Sequence, residues 1–146
     1  MIISFFGHAD FYDNGFIKEA LLNELNKIPK NIDIDFYLGG YGNFDSFAKK
    51  VCIEFKKTRN NVKLFYVTSY LTPSFLKNKQ PFICDYDQII SFDCANKSGR
   101  FSIIKRNEQI IKVSSLIFFY VQRTFGGAYK ALTLAKKLKK KMVNLA

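Results

Sequence analysis

The chain predicts an α/β fold in three layers, with a mostly parallel sheet of about five to seven strands and helices on both faces. Three observations carry this reading. Short apolar runs alternate with patterns at helical spacing that last about 12–15 residues. Glycine turns recur where a run gives way to such a pattern, at Gly7-His8, Gly39-Gly40 and Gly126-Gly127. At 146 residues the chain makes a single domain, residues 1–146, large enough to bury a sizeable core.

The elements follow in order. Residues 2–6 form an apolar run ending at Gly7-His8, a buried first strand. Asp13-Asn14-Gly15 supplies capping chemistry for a helix whose stripe is Ile17, Ala20, Leu21, Leu25 and Ile28, with Pro29 closing it. Residues 34–38 make a second strand, and the pattern Phe44, Phe47, Ala48, Val51, Phe55 runs a helix to about Lys57. Residues 62–68 make a third strand. Pro73, Pro81 and polar neighbours make 69–87 a long loop, with one helical turn at 73–77. Residues 88–92 form a short strand, followed by a loop through Gly99. From about Phe101 the pattern Ile103, Ile104, Ile110, Ile111 gives a helix carrying Arg106 and Asn107. Residues 116–121 make a buried strand, and Ala128, Ala131, Leu132, Ala135 and Leu138 line a final helix. Residues 142–145 close the chain as a short strand.

Composition narrows the class. No apolar run of about 18 residues exists, so no membrane span is expected. The first ten residues lack a basic n-region and a long apolar h-region, which argues against a secretory signal. Cys52, Cys84 and Cys94 have no CxxC spacing and read as reduced thiols of a cytoplasmic protein rather than disulfides or a zinc site. No metal and no cofactor is expected. The net charge of +11 favours polyanionic partners. Much of it lies in Lys130, Lys136, Lys137 and Lys139 to Lys141, where a solvated helix face near the negative end of the dipole is the plainer explanation.

The stretch from Ile34 to Asp45 organises the site. Strand, glycine cluster and helix start follow one another, and the first amides of a helix have no internal partner and carry partial positive charge. Adjacent glycines admit positive φ and let a phosphate approach without meeting a Cβ. Right-handed crossovers put every strand's C-terminal end on one edge, which gathers Gly7-His8, Gly39-Gly40, Tyr70 and Gly126-Gly127. Asp45, on the first helical turn, suits a ribose hydroxyl or a general base, or simply complements the dipole. Arg106 offers a planar fork for phosphate and Asn107 a bond to base or ribose. His8, the only imidazole, is a ligand contact or a proton shuttle, or a satisfied loop residue. Tyr41, Phe44 and Tyr129 flank the glycine turns as stacking groups, with core packing the plainer account of Phe44. No Ser-His-Asp or Cys-His arrangement and no GxxxxGK[ST] occurs.

Phe6-Gly7-His8, Gly39-Gly40-Tyr41-Gly42-Asn43-Phe44-Asp45, Lys105-Arg106-Asn107 and Phe125-Gly126-Gly127-Ala128-Tyr129-Lys130 together resemble the SLOG superfamily, in its YpsA-like branch. The resemblance runs from Ile3 to Leu145. It implies a Rossmann-like fold, a nucleotide or nucleotide-derived ligand at the glycine loops, and a homodimer. The superfamily includes cytokinin-activating phosphoribohydrolases and Smf-type DNA-processing proteins, and the Gly39 to Asp45 stretch is similar to the glycine-rich turn of the latter. Gly126-Gly127 falls where the phosphoribohydrolases carry PGGxGTxxE. There Phe125 replaces the proline, Tyr129 the later glycine and Thr133 the glutamate, and Ala9 stands where relatives often have arginine. Hydrolysis of an N-glycosidic bond needs a carboxylate by the anomeric carbon, so these departures weaken catalysis more than binding.

Three functions follow as expectations. The first is a nucleotide-ligand-binding sensor or sequestering module, with phosphate on the amides of residues 39–42 and of Gly126 and Gly127, and Arg106 neutralising charge. The second is a nucleoside-monophosphate N-glycosidase with Asp45 and Arg106 as catalytic residues. The third is a nucleic-acid-binding module using the lysine-rich C-terminal helix.

Overall fold

A computed structural model describes residues 1–40, 42–69, 85–92 and 100–146, with the backbone alone at residues 100 and 101. The described strands are β1 (Ile2–Gly7), β2 (Ile34–Leu38), β3 (Val62–Thr68), β4 (Gln88–Ser91), β5 (Leu116–Tyr120) and β6 (Met142–Asn144). The described helices are α1 (Phe16–Asn26), α2 (Asn43–Lys56), α3 (Arg100–Val113) and α4 (Gly127–Lys137). One sheet runs in the order β4-β3-β2-β1-β5-β6, and every pairing is parallel. The loop and helical turn expected within 70–84 and the loop at 93–99 lie outside the described residues, as do Tyr41 and Tyr70.

Successive side chains of a strand point to opposite faces, so the central strands are apolar on both. Ile3, Phe5, Phe36, Leu38, Leu64 and Phe118 meet Leu21 and Leu25 of α1 and Phe44, Val51 and Phe55 of α2. On the other face Phe6, Val67, Ile117 and Phe119 meet Ile110 and Ile111 of α3 and Ala131, Leu132 and Ala135 of α4. The β1–β5 register sets Phe5 beside Phe118 and Phe6 beside Phe119. Each pair stacks at 5.8 Å between ring centroids, worth about 0.5–1.5 kcal/mol beyond area burial. The buried Ser4 and Ser114 hydroxyls are paired, 2.7 Å apart, and Ser114 Oγ donates to the Ile110 carbonyl at 2.6 Å.

Helix α1 stops at Asn26, short of Pro29, because the chain tightens into i→i−3 bonds from the Lys27 and Ile28 amides. The Ile28 carbonyl is then capped by Arg59 Nη2 at 2.8 Å. Two facts of topology position the site. Chain order runs outward from β1 in both directions, making the β1/β5 junction the switch point of the sheet. The loops after β1 and β5 therefore diverge to opposite faces and leave a crevice at the C-terminal rim. No described helix is long and apolar enough to cross a membrane.

Candidate functional site

A cavity of about 330 Å³ opens at that crevice. Its walls include Gly7, His8, Gly39, Asp45, Arg106, Asn107, Gly126 and Gly127, so eight of the residues singled out from sequence come together. Arg123 and Phe125, which sequence reasoning did not assign to the site, line it as well.

The β2–α2 turn is packed. Gly7 is glycine because a Cβ there would run into the Phe44 ring. That ring is fully buried against Phe11, Phe47 and Tyr120. Phe44 is therefore core and cannot stack on a base from this position. A Cβ on Gly39 would sit 2.7 Å from Arg106 Nη1 and 3.2 Å from Asp45 Oδ2. The guanidinium and the carboxylate thus both press against this glycine's backbone. A Cβ on Gly40 would lie 3.1 Å from the Tyr66 ring. Neither glycine takes the left-handed conformation expected of the pair; Gly42 does, at φ 102° and ψ 179°. Its Asn43 neighbour donates its amide to the Ala9 carbonyl at 2.9 Å, so the first amide of α2 is already satisfied by protein.

Arg106 comes from α3 and is 4% exposed. Its Nη1 donates to the Val67 carbonyl at 3.3 Å, while Nε and Nη2 donate to Asn107 Oδ1 at 3.2 and 2.7 Å. A buried guanidinium held by carbonyl oxygens keeps its full charge, since arginine does not deprotonate in proteins.

The β5–α4 turn is open. Gly126 is left-handed at φ 91° and ψ 177°, and a Cβ on Gly126 or Gly127 would meet nothing within 4 Å. The Lys130 amide bonds the Gly126 carbonyl, the first bond of the helix. Among the described residues the amides of Gly127, Ala128 and Tyr129 have no acceptor, and Gly127 and Ala128 line the cavity. Tyr129 itself is half-buried against the α3–α4 side of the core rather than on the cavity wall.

His8 holds this open turn in place. Its Nε2 accepts from the Gln122 amide at 2.9 Å and more weakly from the Arg123 amide at 3.4 Å. In the neutral imidazole the ring proton therefore sits on Nδ1, and the Nε2 lone pair is engaged by these two amides. Burial, and then the nearby Arg123 charge, hold its pKa below the usual 6.5. Arg123 makes a two-pronged pair with Asp10, at 2.7 and 3.1 Å, which lowers the Asp10 pKa. Among the described residues Asp45 is the one carboxylate on the cavity wall. Thr133, at the position of the missing glutamate, is exposed and donates to its own helix at Lys130 O.

No family model and no curated protein matches the chain. A solved structure of DNA processing protein A from Helicobacter pylori, a protein with a unique single-stranded DNA binding mode, is similar with a TM-score of 0.61 at 15% identity. The fold is Rossmann-like. That likeness covers 97% of this chain and 63% of the other, and at such identity it speaks for the fold alone.

Proposed function

We propose that this protein binds a nucleotide in the cavity at the C-terminal rim, as a sensor or sequestering module. The carrying observation is the open β5–α4 turn: acceptor-free amides at the positive end of a helix, facing a cavity that also holds Arg106 and Arg123. In this reading the phosphate rests on the amides of Gly127 and Ala128. The buried guanidinium of Arg106 supplies charge at fixed geometry, and Asp45 and Asn107 take the sugar hydroxyls. A volume near 330 Å³ lies at the lower end of small-molecule sites and suits one nucleotide unit rather than two. The chain is then a SLOG-type domain of the YpsA-like branch, an assignment supported by the order of its four motifs and by the shared fold. A homodimer belongs to the same proposal, and sedimentation velocity tests it.

A second reading, in which the occupant is one unit of a single strand, is favoured by the fold neighbour's single-stranded DNA binding and by the +11 charge. It differs from binding through the lysine-rich helix. Helix α4 starts at the cavity and its 11 residues extend about 16 Å. Lys140, just beyond, donates to the Lys112 and Ser114 carbonyls, where β5 is about to begin. Lys140 and the lysines at the end of α4 thus occupy the opposite rim of the sheet, while Lys130 lies on the first turn of the helix.

Calorimetric titration with nucleoside monophosphates and with oligodeoxynucleotides of increasing length, at several salt concentrations, tests these readings. Saturable binding of free monophosphates supports the first. Oligonucleotides that bind about a hundredfold tighter, with a steep salt slope, support the second. Binding abolished by the Lys136→Gln/Lys137→Gln pair but indifferent to Gly127→Val would overturn the cavity as the site. Release of free base from a monophosphate, lost in Asp45→Ala, would replace the sensor with a glycosidase.

A further inference from the structure

Phe125 immediately precedes the open turn and is 65% exposed while lining the cavity. A single exposed aromatic is common on protein surfaces and means little by itself. This one is held. The Arg123 guanidinium lies over its ring, 5.5 Å from the centroid, and the carboxylate of Asp10 pins that guanidinium with two hydrogen bonds. The backbone beneath is fixed in turn by His8 through the Gln122 and Arg123 amides. Each link comes from the loop after β1 or the loop after β5, the two that meet at the switch point of the sheet.

Resting on the nucleotide reading above, we infer that Phe125, backed by Arg123, is the stacking platform for the base of the bound nucleotide. A planar guanidinium on one side of a phenyl ring leaves the other side for a second planar group, and both arginine and phenylalanine favour such stacking. The placement suits the ligand's shape. A phosphate on the amides of Gly127 and Ala128 lies two or three residues along the chain from Phe125, and the sugar spans the interval. Stacking reads a π-face and not a hydrogen-bonding edge, so the platform accepts any base and favours purines by area. Asp10 and His8 are positioning residues in this arrangement, because they touch Arg123 and its backbone rather than the base.

The test uses the full chain and two probes, adenosine 5′-monophosphate and ribose 5-phosphate, which differ only in the base. Wild type is expected to bind the monophosphate about ten- to a hundredfold tighter than the sugar phosphate. Phe125→Ala is expected to remove that gap while leaving ribose 5-phosphate affinity and thermal unfolding unchanged, and Phe125→Trp to restore it. Should the gap persist in Phe125→Ala, the inference is overturned and nucleotide binding stands. The base would then lie elsewhere, for instance in the 440 Å³ apolar groove between α3 and α4, lined by Ile103, Ile104 and Leu134, that continues from the cavity. Should wild type bind the two probes equally, the platform is likewise excluded. Should it bind neither, the nucleotide reading fails, and the platform with it.

Discussion

The β2–α2 and β5–α4 turns look alike in sequence and share the conformation of the glycine before each helix, yet they are built for different ends. Each contains a Gly-Gly pair, and each helix starts after a glycine of almost identical conformation, Gly42 at 102°/179° and Gly126 at 91°/177°. This region of φ/ψ space is essentially closed to other residues. Around the first turn every glycine is crowded, by Arg106, Tyr66 or Ala9. Around the second there is open space. A local motif thus specifies a backbone shape, and the tertiary surroundings decide whether that shape serves packing or leaves room for a ligand.

Substitutions break or sharpen this contrast. Gly42→Ala has the largest expected effect, about 3 kcal/mol in urea unfolding. It adds conformational strain to a Cβ placed 2.6 Å from the Ala9 backbone. A loss below about 1 kcal/mol would mean that the crowded turn yields easily, and the contrast would dissolve. Gly126→Ala isolates the strain without the clash and is expected to cost about 2 kcal/mol. Gly127→Val meets neither obstacle. Stability should stay within about 0.5 kcal/mol while nucleoside monophosphate affinity falls more than tenfold, since the added methyls enter the open space. Unchanged affinity there would make the open turn a bystander.

The smallest expected effect is that of pH. His8 has a folded pKa below 6.5, so its contribution is present above pH 6.5 and is lost as pH falls through the lowered value. In that window the unfolded chain takes up the proton first, and in the folded state protonated Nε2 cannot accept from Gln122. Because His8 is the only histidine, a His8→Gln variant should show a flatter stability profile just below pH 6.5 than wild type. Parallel profiles would remove His8 from its role behind the open turn.

How much of this was legible in the sequence depends on how far apart the interacting residues lie. The strands at 34–38 and 62–68 have the boundaries expected of them, since apolar runs flanked by polar turns leave little choice of register. The gathering of Gly7, Gly39 and Gly126-Gly127 on one rim follows from parallel topology alone, and the cavity contains them. Three things escaped. Core packing is the plainer account of Phe44 and holds, but its partner escaped: the ring fills the space a side chain at Gly7 would need, a contact 37 positions away that no spacing announces. The left-handed glycine is Gly42 rather than Gly39 or Gly40, because the helix start and not the strand end needs that conformation. Arg123 had no periodic pattern to mark it, and its partner Asp10 is 113 residues distant. The one available sign was position, since both residues follow strands that parallel topology makes neighbours.

The placement of β1 has a consequence for how the molecule comes into being. Its Ile3 to Gly7 segment pairs with Leu116 to Tyr120, which follows β2, β3, β4 and α3 in the chain. During synthesis, then, β1 emerges with one margin bare until the β5 segment has been translated. Such an unprotected edge invites aberrant association, and pairing across so long a separation is slow. Shortened versions ending before residue 116 are therefore expected to aggregate rather than to persist as smaller, well-behaved units.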